Sequence, residues 1–265
     1  MIDPPAVQDV GAPEPRVRPG LTHERVGVFA DAIFAIAITL LALELPRPER
    51  EDYARLGAFL GDHVNSFVAF AIAFLMLWFT WRAHHSLFDQ ITRVSQRVLA
   101  LHVPLLFFVA FLPYTTSVFG EATGLPDEAA GGRALAIALF AANEAILMLC
   151  QGAMIAVVLR QGLQRPDANI SRLRTEGWID WVGGVYWLLT AAVSGRAAEY
   201  VPFLWLATPL IAFAVARVVV VLRRLADGRR PQPRRARRRA AASSMTSSRL
   251  QKANRTYARP REGRS

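Results

Sequence analysis

The chain has 265 residues, is 53% hydrophobic by residue type and carries a formal net charge of +10. Its single cysteine, Cys150, excludes an intramolecular disulfide and a zinc knuckle. The apolar residues are gathered in runs approaching the roughly 20 needed to cross a bilayer core, which predicts a multi-pass membrane protein rather than a soluble domain.

The charge is gathered as well. From Arg223 to Ser265 there are fifteen Arg or Lys and two acids, a net +13, so the rest of the chain carries −3. The N-terminal stretch MIDPPAVQDVGAPEPRVRPG has prolines and acids but no apolar core, so it does not read as a secretory signal. Residues 1–22 are expected to form a disordered cytoplasmic leader. Six spans follow, at about Val26–Leu45, His63–Arg82, Val98–Phe119, Arg133–Leu159, Trp178–Ser194 and Val201–Leu222. The expected fold class is an all-α membrane protein, since helices satisfy their own backbone in lipid and no alternating period supports a barrel. Residues 23–222 are the six-helix unit. Residues 223–265 are an arginine-rich tail, expected to be disordered and to lie against anionic lipid headgroups rather than to bind specific nucleic acid.

Loop arginines predict the orientation. Arg82, Arg93 and Arg97 join the second and third spans, Arg160, Arg165, Arg172 and Arg174 join the fourth and fifth, and the tail adds more. Both termini are therefore expected in the cytoplasm, in an integral protein of the cell membrane.

The first span, RVGVFADAIFAIAITLLALEL, carries two charges at its cytoplasmic end, Arg25 and Asp31. At about 100° per residue, Arg25, Phe29, Ile36, Leu40 and Leu43 share one stripe, while Asp31 shares another face with Ala35, Ile38 and Ala42. The small residues of that face are expected to pack on a neighbouring helix. Arg25 can snorkel to headgroups; Asp31 needs a partner. Trp81, His84 and His85 lie at the same membrane level, and indole or imidazole N–H groups can donate to a carboxylate. Asp31 is expected to be anchored through Trp81 and His84. In the third span, Pro113 is expected to break the helix, with Tyr114, Thr115 and Thr116 satisfying freed carbonyls. Asn143 and Glu144 fall near mid-membrane in the fourth span. His102, Asp180 and Glu199 are lesser candidates.

Three segments resemble signatures of the transmembrane protein 175 family of endosomal and lysosomal potassium channels and their bacterial relatives. RVGVFAD is similar to Arg-x-x-x-Phe-Ser-Asp, WRAHHSLF to Trp-x-x-His-His, and FLPYTTS to Pro-Phe-x-Thr-Ser. The resemblance implies six helices per subunit and a homotetramer. The first helices would line a pore that lacks a carbonyl selectivity filter. It implies that Ile36, Leu40 and Leu43 form the constriction with Thr39 as a polar layer, and that Arg25, Phe29, Asp31, Trp81 and His84 form a packing network. Ala30 departs from the signature, which has serine there. The implied activity is potassium-preferring cation conduction, possible also for protons, with no cofactor, no resident metal and no catalysis. Two other readings compete. A secondary transporter would ordinarily show inverted repeats and midplane breaks. An intramembrane metal-dependent enzyme would need Asp31, His84, His85 and Glu144 to converge.

Overall fold

The computed structural model describes residues 23–124, 130–205 and 207–228. The leader and most of the tail lie outside the described residues. The chain divides into two units, 1–216 and 217–265, and the packing described below is that of the first.

The described secondary structure is almost wholly helical: α1 His23–Leu43, α2 Leu56–Asp62, α3 Val64–Asp89, α4 Gln96–Thr123, α5 Ala130–Gln161, α6 Ile170–Ala197, α7 Val201–Trp205 and α8 Thr208–Gly228, with a 3-10 turn at Asp52–Arg55 before α2. Four single helices, α1, α3, α4 and α5, are long and apolar enough to cross a membrane, as is the segment Val201–Leu222 over which α7 and α8 lie. The fifth expected span is α6, 28 residues long, whose first half carries Arg172, Arg174, Glu176 and Asp180.

Two boundaries differ from the sequence reading. The sixth span is not one helix. It is divided into α7 and α8, and Pro202 and Pro209 each take the second position of a helix, where a missing N–H costs nothing. Nor does Pro113 break α4, which runs from Gln96 to Thr123 through both Pro104 and Pro113. The hydroxyls of Thr115 and Thr116 donate to the carbonyl of Leu112, at 3.0 and 2.8 Å, and support that turn.

Close approach of α5 and α6 organises the core. A Cβ added at Gly184 would lie 2.7 Å from Leu149 Cγ and 3.2 Å from the Ala145 carbonyl oxygen, so only glycine admits this spacing. At one end of this pair, Phe119, Phe140, Trp187 and Trp205 form an aromatic cluster, with Trp187 stacked on Trp205 at 4.8 Å. Trp205 Nε1 donates to Thr190 Oγ1 at 3.2 Å, so α7 is tied to α6 by a polar bond inside the apolar cluster.

At the arginine-bearing end, the α3–α4 and α5–α6 loops are stitched together. Thr92 N donates to Leu163 O at 3.0 Å and Arg165 N to Gln90 O at 2.8 Å. Gly162 makes the turn into this pairing with a φ of 63°, a conformation that favours glycine.

Candidate functional site: the first helix and its anchors

Helix α1 packs on α3 and α4. Its buried residues are Val26, Ala30, Phe34, Ala37 and Leu41, spaced by four or three, so they form one stripe. This face lies about a quarter turn from the one expected from the sequence: Ala35 and Ala42 are exposed, and Asp31 and Ile38 sit at its edge. The reason is geometric. Ala30 and Ala37 let α1 approach closely while Phe34 fills the space beside the imidazole of His84, its ring 5.5 Å away. Ala30 is fully buried.

The aliphatic stripe is left uncovered. Ile36 is 58% exposed, Leu40 38% and Leu43 57%, and Phe29 is exposed beside them. Thr39 lies among them with its hydroxyl donating to the Ile36 carbonyl at 2.7 Å. Arg25, Phe29, Ile36 and Leu40 also line an apolar groove of about 730 Å³ between α1 and α4, whose other wall includes Leu99, Val103, Leu106 and Phe107.

The anchor of Asp31 uses two side chains from α3. Trp81 Nε1 donates to Asp31 Oδ1 at 3.0 Å, and His85 Nδ1 lies 3.4 Å from Oδ2. Both carboxylate oxygens thus have partners, with serine absent at position 30. The indole stacks on the His85 ring, and His85 Nε2 faces Asp89 at 3.7 Å. The histidine differs from the one expected. His84 points elsewhere, because adjacent helical residues diverge by about 100°.

His84 is fully buried and its Nε2 lies 2.9 Å from Nε2 of His102 on α4. His102 Nδ1 lies 3.2 Å from the Val98 carbonyl, which can only accept. His102 therefore donates from Nδ1 and accepts at Nε2, and His84 donates from Nε2. Phe88 stacks on His84 at 4.5 Å and meets His102 edge-on at 5.0 Å. The pair locks α3 to α4 directly behind α1. It had a sequence signal: His84 shares the stripe of Leu77, Thr80 and Leu87, and His102 that of Val98, Leu105 and Val109, all buried. A polar side chain on such a stripe must find a partner there.

Glu144 and Asn143 are buried in α5. Asn143 Nδ2 donates to the Phe108 carbonyl of α4 at 3.3 Å, while both Glu144 oxygens lack hydrogen-bond partners among the described residues. Among the described residues no three His, Cys, Asp or Glu side chains gather in a way that could hold a metal ion. Asp31, His84 and Glu144 are thus not brought together.

Residues 25–113, which contain all but the first two residues of α1, the Trp-x-x-His-His segment and most of α4, match the family described as the endosomal/lysosomal potassium channel TMEM175. The similarity to the TMEM175 family lies in this segment. Its relatives include a protein named potassium channel from Streptomyces collinus, 35% identical over 97 residues, covering 37% of this chain and 47% of the relative. A potassium channel from Chryseobacterium is 27% identical over 135 residues, covering 50% of this chain and 68% of the relative. The mouse endosomal/lysosomal proton channel TMEM175 is 35% identical over 112 residues, 38% of this chain and 22% of that protein. The chain thus spans about half the length of the first of these relatives. The crystal structure of a lysosomal potassium-selective channel TMEM175 homolog from Chamaesiphon minutus superposes with a TM-score of 0.51 at 23% identity, covering 72% of this chain and 97% of that one. The TMEM175 fold is therefore shared well beyond the matched segment.

Proposed function

We propose that the chain is one subunit of a potassium-preferring cation channel, a homotetramer whose first helices surround the pore. The observation that carries this reading is the division of α1 into a stripe packed to near-complete burial and an aliphatic stripe, Ile36, Leu40 and Leu43, that this subunit leaves uncovered. Symmetry copies meeting on that stripe would close rings of bulky side chains around an axis. Such rings exclude water from a narrow constriction and gate by dewetting. When the rings part, an ion passes after shedding part of its hydration shell. Potassium is larger than sodium and holds its water less tightly, so it passes more easily without carbonyl ligands. The Thr39 oxygen sits beside the rings as a polar station. Arg25, Phe29, Asp31, Trp81 and His85, with the His84–His102 pair behind them, hold α1 at the angle that sets the ring diameter.

The relatives' names include both potassium and proton channels, and water entering the open constriction would carry protons as well. The chain conducts rather than catalyses. It resides in the cell membrane with both termini cytoplasmic, following the loop arginines. The arginine tail lies on anionic headgroups.

The test is flux through purified protein in liposomes or planar bilayers. Wild type is expected to pass potassium in preference to sodium. Ile36→Asn, which places an amide in the constriction, is expected to raise conductance and weaken selectivity. No potassium flux in wild type, or unchanged conductance and selectivity in Ile36→Asn, would overturn the reading.

A further inference from the structure

A second polar feature lies away from α1. A partly open cavity of about 360 Å³ is lined by α3, α5, α6 and the start of α8. Much of its wall is apolar, including Met76, Phe79 and Met148. Set into that wall are four side chains with oxygen atoms that are buried and without hydrogen-bond partners among the described residues: Gln151 Oε1, Glu176 Oε2, Asp180 Oδ2 and Thr208 Oγ1. Gln151 is only 1% exposed and Asp180 only 8%. Unpaired buried oxygens cost several times what a satisfied group does, and four lining one space point to something that satisfies them together.

The fold brings them there deliberately. Glu176 and Asp180 stand one turn apart on α6, hence on one face. Gly152, next to Gln151 in sequence, lets α6 close in: a Cβ on Gly152 would meet Asp180 Cβ at 3.3 Å. The net charge of the cluster follows from one ion pair. Arg172 Nε binds Glu176 Oε1 at 2.7 Å and neutralises it, leaving Glu176 Oε2 turned to the cavity. With a cation bound, Asp180 would supply the one uncompensated negative charge. Arg82 also lines the cavity but is exposed, where solvent screens it.

We infer that this cavity is a binding site for a monovalent alkali cation, off the pore axis and within one subunit, held by Asp180, Glu176, Gln151 and Thr208. The chemistry fits on three counts. Hard cations take oxygen ligands, here carboxylate, amide and hydroxyl. A net charge of −1 matches a monovalent ion and leaves a divalent one undercompensated. The apolar wall lowers the local dielectric and strengthens the attraction to Asp180. An ion here would bridge α5, α6 and α8, so it would act as a structural tie rather than as a conduction step. The inference stands independently of the pore assignment.

The test is thermal unfolding of the full chain in detergent, in potassium or sodium chloride against N-methylglucamine chloride at equal ionic strength. A ligand that binds only the folded state stabilises it by mass action. Wild type and Ile36→Asn are both expected to gain about 2–4 °C in the alkali salts, the shift that a modest ligand confers on a chain of this size. Asp180→Asn is expected to lose the gain. Thallium soaked into the protein is expected to give a density peak between Asp180 and Gln151. Equal melting in all three salts, a gain retained in Asp180→Asn, a gain lost in Ile36→Asn, or a larger gain from calcium at matched ionic strength would overturn the inference. Should Asp180→Asn not fold, Thr208→Val decides. A reduced gain supports the site and an unchanged one refutes it.

Discussion

His84 and His102 form the most constrained contact of the matched segment. The chain Val98 carbonyl, His102 Nδ1, His102 Nε2, His84 Nε2 uses each proton once, and both rings are walled in by Phe88. Removing one partner leaves the other N–H buried with nothing to receive it, which costs about 1–3 kcal/mol. His102→Leu is therefore expected to lower stability by about that amount, measured as a shift in the denaturant midpoint in detergent. Replacing both histidines by leucine removes the orphan as well as the bond, so the double variant is expected to be no less stable than His102→Leu alone. Strict additivity of the two single losses would show that the rings do not interact. Asp31 is a different case. Its side chain is about a third exposed, so its bonds to Trp81 and His85 orient α1 more than they stabilise the fold. Ala30, the departure from the signature, takes part in the packed stripe and leaves both Asp31 oxygens partnered.

Among the elements, α6 carries the sharpest contrast between two glycines. A Cβ on Gly184 would meet Leu149 closer than Cβ atoms are found and press on the Ala145 carbonyl, whereas nothing lies within 4 Å of a Cβ added at Gly195. In an open helical position, Gly→Ala gains roughly 0.5–1 kcal/mol by restricting the unfolded chain. In a filled one, the added methyl forces α5 and α6 apart at a cost of about 1–3 kcal/mol. The two substitutions are expected to move the unfolding midpoint in opposite directions, Gly195→Ala upward and Gly184→Ala downward. A Gly184→Ala protein as stable as wild type would mean that the two helices are not held at this spacing. The charges in the first half of α6 have a related explanation. Arg172, Glu176 and Asp180 face a cavity shared with α3, α5 and α8 whose wall also holds Gln151 and Thr208, so a helix with Asp180 inside it can still belong to the bundle.

At the scale of the molecule, what the sequence revealed depended on whether one helix sufficed to show it. Apolar runs located five of the six expected spans, all but α6, because crossing a bilayer is a property of a single segment. The stripe of Ile36, Leu40 and Leu43 was visible for the same reason. Which neighbour covers which face was not, since periodicity says that residues share a face without saying what meets it. Hence the quarter-turn error in the packed side of α1 and the exchange of His84 for His85 at Asp31. The cavity of Gln151, Glu176 and Asp180 was hidden still further, as its walls come from four helices distant in sequence. In the proposed assembly other copies of the chain cover the aliphatic stripe of α1, and disulfide trapping tests that directly. Cys150 is the sole cysteine and is buried, so Cys150→Ala provides a clean background. Ile36→Cys in that background places a thiol on the proposed axis, where copies come within bonding range. Mild oxidation in membranes is expected to yield a disulfide-linked dimer on a denaturing gel, and native mass spectrometry four chains per particle. Leu189→Cys on α6, equally exposed to its surroundings in one subunit at 60%, is expected to stay unlinked. Equal cross-linking at both positions would reflect collision in the membrane. A monomeric particle with no cross-link at Ile36 would return the stripe to lipid and remove the pore.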